Sequence, residues 1–138
     1  MTLNTNTPET FGPAVEDYHE GFHFLDLLAQ APEVEPDKKR PAVKRVLRAD
    51  GANLIVFSFA PGQDLPDHRA AHPITVSSLR GEFEFSCAGK TVTLSPGSAV
   101  QLRDHLVHRV DYPATAECTG VLLLTMITGE RITDAGSK

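Results

Sequence analysis

Residues 62–81 read GQDLPDHRAAHPITVSSLRG, and residues 96–110 read PGSAVQLRDHLVHRV. Each stretch opens on a glycine turn, passes through histidines and carries a short β-type run. In the first, Gly62 leads to His68, His72 follows four residues on, and PITVSSL at 73–79 runs up to Gly81. In the second, Pro96-Gly97 turns into AVQL, and His105 and His108 come behind it. Four of the six histidines lie in these two stretches. We read them as two walls of one pocket.

The flanking sequence has the same β character. KRVLR at 44–48 is a first candidate strand, Asp50-Gly51 a turn, and NLIVFSFA at 53–60 a strong strand. Ile55, Phe57 and Phe59 share one face of it, with Leu54 and Val56 on the other, so this strand is expected to be buried on both sides. GEFEFSC at 81–87 alternates, with Phe83 and Phe85 on one face and Glu82 and Glu84 on the other. Ala88-Gly89-Lys90 is a hairpin turn. Thr91–Leu94, Ala99–Leu102, His108–Tyr112 and Gly120–Ile127 complete the set. Seven or eight short strands at roughly ten-residue spacing, with Gly or Pro between them, predict an all-β barrel or sandwich. No helical pattern separates the strands, which argues against a parallel α/β sheet.

Residues 1–42 form an arm, a short helix and a linker. The first 13 are rich in Thr, Asn and Pro without periodicity and read as a loose arm. Over Asp17–Gln30, the spacing of Phe22, Leu25 and Leu28 predicts a helix. His19 and His23 are four apart there, with Gly21 weakening the helix between them and no third ligand nearby. APEVEPDKKRP at 31–41 holds three prolines and reads as a surface loop. The barrel is expected over 43–127, with a polar tail at 128–138.

One domain fits the 138 residues. The net charge of −5 speaks against a nucleic-acid partner. The basic cluster of Lys38, Lys39, Arg40, Lys44, Arg45 and Arg48 is expected to be a solvated face. No apolar run approaches the ~20 residues that span a bilayer, and the polar N-terminus lacks the order of a secretory signal. No membrane partner and a cytoplasmic location are the default expectations. Cys87 and Cys118 do not make a disulfide scaffold and are expected as buried free thiols.

Imidazole is the commonest protein ligand for mid-series divalent metals. In a β-barrel, inward side chains from opposite walls face one cavity. His68 and His72 from one wall and His108 from the other make a candidate three-nitrogen site with a position open for water or substrate. Pro66 and Pro73 flank the His68/His72 pair and exclude a helix. Residues four apart in extended chain lie roughly 13 Å apart, so both reach one ion only if Arg69-Ala70-Ala71 bends. His105 is a further pocket candidate, if it shares a turn with His108.

The two stretches resemble the paired motifs of the cupin family. Gly62, His68 and Gly81 match the first motif, and Pro96, Gly97 and His108 match the second. The likeness covers about residues 43–127. It implies a cupin-type antiparallel, jelly-roll-like β-barrel, here with a short N-terminal helical extension. Two usual ligand positions depart from the pattern: Ala70 stands at the second histidine and Ile74 at the glutamate. His72 is displaced by two from the missing histidine, and Asp64 or Asp67 lies near enough in sequence to supply a carboxylate. The likeness further implies a divalent metal, with zinc, iron, manganese and nickel all in range, and reactions of dioxygenase or isomerase type. The alternative is a metal-free barrel that binds a small ligand as a sensor, with no catalysis. A third reading is a structural barrel. A homodimer is expected in any case, with the Ile55-Phe57-Phe59 face suited to its interface. The sequence names no catalytic residue.

Overall fold

A computed structural model describes residues 3–17 and 21–131. His19 lies outside the described residues. Eleven strands are formed in chain order among them: β1 (Thr5–Asn6), β2 (Glu16–Asp17), β3 (Ala42–Ala49), β4 (Ala52–Phe59), β5 (Asp64–Ala70), β6 (Ile74–Arg80), β7 (Phe83–Cys87), β8 (Lys90–Leu94), β9 (Ala99–Leu102), β10 (His108–Asp111) and β11 (Gly120–Ile127). They build a five-stranded sheet, β1-β5-β10-β7-β8, and a six-stranded sheet, β2-β3-β4-β11-β6-β9. All pairings in the barrel are antiparallel except the two short parallel additions, β1 on β5 and β2 on β3. The fold is the expected all-β barrel of jelly-roll type.

The inner faces of the two sheets close on one core. It contains Ile55, Phe57 and Phe59 of β4, Ile74 and Val76 of β6, Phe83 and Phe85 of β7, Val110 of β10, and Leu122 and Leu124 of β11. Burying such side chains is the main source of stability, roughly 1.5–3 kcal/mol for each large one. Because Ile55, Phe57 and Phe59 point inward, their face cannot be the dimer interface anticipated for it. The opposite face of β4 is also covered. Val56 packs with Val46, Leu47 and Val121 in a second cluster, against which Leu25, Leu27 and Ala31 are laid.

That covering segment is not a helix. Residues 21–30 hold only a turn at 27–30. Leu25 and Leu27 pack on the sheet, while Phe22 and Phe24 stay 85% and 86% exposed. The side chains alternate in the two-residue manner of extended chain, so the spacing of Phe22, Leu25 and Leu28 marks no common face. The helical piece of the N-terminus comes earlier, as a single 3-10 turn over Pro8–Phe11. Nor is the arm loose. Asn4 and Asn6 accept the backbone N–H groups of Arg69 and Ala71, and Arg45 donates to the Gly12 carbonyl at 3.0 Å. Arg45 thereby leaves the solvated basic face: it is buried, with its Nε–H on Asn53 Oδ1 at 2.9 Å.

One end of the barrel is sealed by aromatic rings. Phe59 and Phe83 meet at 5.0 Å, Phe83 and Tyr112 at 4.7 Å. Tyr112 donates to the Cys118 carbonyl at 2.9 Å. A Cβ on Gly120 would sit 2.7 Å from both the Phe83 and Tyr112 rings, and one on Gly81 would reach the Tyr112 hydroxyl at 2.6 Å. Gly81 also has φ +88°, a conformation that favours glycine. The second glycine of the first histidine stretch is therefore needed for this seal. Both cysteines are free, but Cys118 is exposed and Cys87 half-buried, so neither is the buried thiol anticipated.

Candidate ligand-binding site

The other end of the barrel holds a cavity of about 360 Å³. Its walls are mostly apolar, with Phe57, Val76, Phe85, Val110, Leu122 and Leu124 among them. His68, His108 and the exposed Asp67 supply the polar side chains from the barrel strands, and Asn4, Asn6 and Phe11 enter from the N-terminal arm.

Strand register brings the histidines together. His108 of β10 is the cross-strand partner of His68 of β5, and their ring centroids lie 4.1 Å apart at 60°. Between His68/His108 and Leu65/Val110 the register shifts, as in a β-bulge. The extra residue in β5 lets both Leu65 and His68 line the cavity, although they are three apart. Phe85 stacks on the His108 ring at 5.4 Å and 14°.

Each ring is held from behind. His68 Nδ1 lies 2.7 Å from the Pro66 carbonyl oxygen, and His108 Nδ1 lies 2.9 Å from that of Leu106. A carbonyl only accepts, so each Nδ1 carries the proton and each Nε2 presents a lone pair. Neither Nε2 has a hydrogen-bond partner among the described residues, and neither is sealed from solvent. Both rings favour the neutral state. His108 falls from the ordinary 6.5 to about 4, chiefly through burial and then through its neighbour His68; the Leu106 carbonyl and Asp67 pull the other way. His68 is lowered too, again chiefly by burial.

The other candidates lie elsewhere. His72 sits in the bend between β5 and β6 and does not line the cavity. The bend exists, but it does not bring His72 to the pair. His105 has φ +67° and points outward: its side chain is 53% exposed, and Nδ1 lies 3.0 Å from Asp104 Oδ2. Asp64 is occupied outside the cavity by Arg40 at 2.8 Å and Arg109 at 2.9 Å. Asp67 does line the cavity but is exposed.

These placements test the site against a resident metal. Among the described residues, no three or more His, Cys, Asp or Glu side chains come together in ligating geometry. Ala70 and Ile74, at the two departed positions, are 5% and 2% exposed and belong to the apolar core. The donor set stops at two imidazoles, short of the three or four protein ligands such ions ordinarily take. Among the described residues, the side chains at this cavity do not make the ligand set that a resident zinc, iron, manganese or nickel ion ordinarily takes.

The parts that sequence reasoning missed come mainly from the arm. Asn4, Asn6 and Phe11 sit in a stretch without periodicity, and only the pairing of β1 with β5 carries them to the cavity.

The fold and this cavity define a small barrel of cupin type. Solved structures share it. A conserved protein of unknown function from Streptococcus pyogenes is 18% identical, with a TM-score of 0.61 over 94% of this chain and 97% of its own. An RmlC-like cupin from Desulfovibrio desulfuricans is 22% identical, with a TM-score of 0.59 over 80% of this chain and 98% of its own. A cupin superfamily protein from Desulfitobacterium hafniense is 16% identical, with a TM-score of 0.57 over 68% and 83%. The chain has the cupin fold. No family model matches the sequence, and no curated protein does. Among the described residues, no helix is long and apolar enough to cross a membrane.

Proposed function

We propose that this chain binds a small organic molecule in its barrel without a resident metal, using His68 and His108 as the polar recognition pair. One observation carries this reading: among the described residues the two cavity-facing imidazoles have no third ligating side chain grouped with them, and Ala70 and Ile74 are given over to core packing. A largely apolar cavity with a few fixed polar groups is the usual form of a small-molecule site. The back-bonds from Nδ1 hold the rings in one orientation before any ligand arrives, which lowers the ordering cost of binding. No reaction is assigned to the pair.

Two measurements on untagged protein test the proposal. Metal analysis after incubation with zinc, iron, manganese and nickel should find well under one ion per chain. A thermal-shift screen of small metabolites should find compounds that raise the melting temperature, because a ligand of the native state stabilises it. An ion near one per chain that is lost in His108→Ala would overturn the metal-free reading and restore a resident metal held by His108. A screen in which nothing shifts the wild type would remove the ligand-binding one.

A further inference from the structure

Resting on that reading, we infer that the ligand is an uncharged molecule that donates a hydroxyl or N–H hydrogen to Nε2 of His68 or His108, and to both where it carries two donors. The inference starts from the carbonyls behind the rings. Pro66 and Leu106 accept at 2.7 and 2.9 Å, which fixes the protons on Nδ1 and leaves two acceptors facing the cavity. Centroids 4.1 Å apart let both rings meet a single ligand. No described side chain donates to either Nε2. A ligand that covers these two atoms without offering a donor strips them of water and leaves them unmatched, at a cost of about 1–3 kcal/mol, so the complementary ligand brings the donor. A ligand carboxylate would instead set lone pairs against lone pairs.

The rest of the lining selects against charge. Arg40 and Asp67 are the charged residues of the wall; they are opposite in sign, and Arg40 is already paired with Asp64 at 2.8 Å. Apart from the histidines and Asp67, the residues of β3 to β11 lining the cavity are apolar, which penalises an ion stripped of water. An apolar cavity of about 150 Å³ already takes benzene. The roughly twofold larger volume here has room for a substituted ring or a short branched chain.

The test is a matched series: cyclohexanol and phenol against their methyl ethers, methoxycyclohexane and anisole, with benzoate and cyclohexylammonium as charged probes. Calorimetry should show the two alcohols binding on the order of tenfold tighter than the ethers, the worth of one hydrogen bond. The ¹⁵N resonance of at least one of the two Nε2 atoms should move with the alcohols, and neither with the ethers. His68→Phe and His108→Phe should narrow the alcohol-to-ether difference while keeping ether binding. Should either variant fail to fold, the ¹⁵N shifts of the wild type decide alone. Ethers that bind as well as alcohols would overturn the donor requirement and leave the proposed function standing. Tighter binding of benzoate or cyclohexylammonium would overturn the neutrality of the ligand. Silence from all six probes would overturn the inference, with the wider metabolite screen then judging the proposed function separately.

Discussion

His68 and His108 face each other across the β5–β10 ladder, and each turns its Nδ1 proton onto a carbonyl two residues back in its own strand or approach. The arrangement is the same on both sides: Pro66 for His68, Leu106 for His108. Forty residues of sequence separate the rings, yet both present the same atom to one cavity.

A first prediction concerns the tautomer. In the ligand-free protein near neutral pH, both rings should be neutral with the proton on Nδ1. Long-range ¹H–¹⁵N spectra report this directly. A protonated Nε2 on either ring would contradict the geometry and, with it, the acceptor role.

The second prediction is a pH dependence. His108 is lowered in the folded chain from 6.5 to about 4, mainly by burial and then by His68, with Asp67 opposing. The unfolded chain therefore takes up this proton first as the pH falls. Stability from this group is complete above the unfolded value, declines as the pH drops below about 6.5, and levels off once the folded group titrates near 4. The total loss is on the order of 3 kcal/mol. His68 is lowered in the same direction and adds to the decline. Urea unfolding of wild type and His108→Gln across this range checks it. Parallel curves for the two proteins would rule it out.

A third prediction addresses the sealed end. Gly120→Ala places a methyl group 2.7 Å from the rings of Phe83 and Tyr112. Both rings are buried and cannot yield freely. Overpacking of this kind costs about 1–3 kcal/mol, visible as a lower melting temperature. Ligand binding at the far end should survive. An unchanged melting temperature would mean that the plug is looser than described.

The fourth prediction concerns the arm. Arg45→Ala removes the donor to Gly12 and leaves Asn53, 1% exposed, without that partner. Destabilisation on the order of 3 kcal/mol is expected. Because Asn4, Asn6 and Phe11 wall the cavity, freeing the arm should also speed cleavage around residue 12 in limited proteolysis. Wild-type cleavage rates would show that the backbone pairings of β1 with β5 and β2 with β3 hold the arm without the Arg45 side chain.

Much of the barrel was legible because its signals are local. Gly120–Ile127 and Ala99–Leu102 form over the very ranges their β-branched and aliphatic runs suggest. Glycine turns at Gly51 and Gly89 mark their hairpins through positive φ. The segment after Gly21 misled because apolar residues at 22, 25 and 28 satisfy a helical spacing by chance. Leu25 and Leu27 instead answer to a sheet face 20 to 100 residues away. Arg45 looked like part of a solvated cluster because the carbonyl that binds it lies 33 residues upstream.

Sequence alone determined eight of the eleven strands, since side-chain periodicity and backbone preference act over a few residues; β1, β2 and β5 lack that periodicity and take their strand form from the neighbours they pair with. Tertiary structure decided the site. Which histidines meet depends on cross-strand register, and the bulge in β5 and the bend after Ala70 are choices of pairing that no short stretch encodes. His68 and His108 therefore share a cavity, while His72 and His105, just as prominent in the sequence, stand outside it.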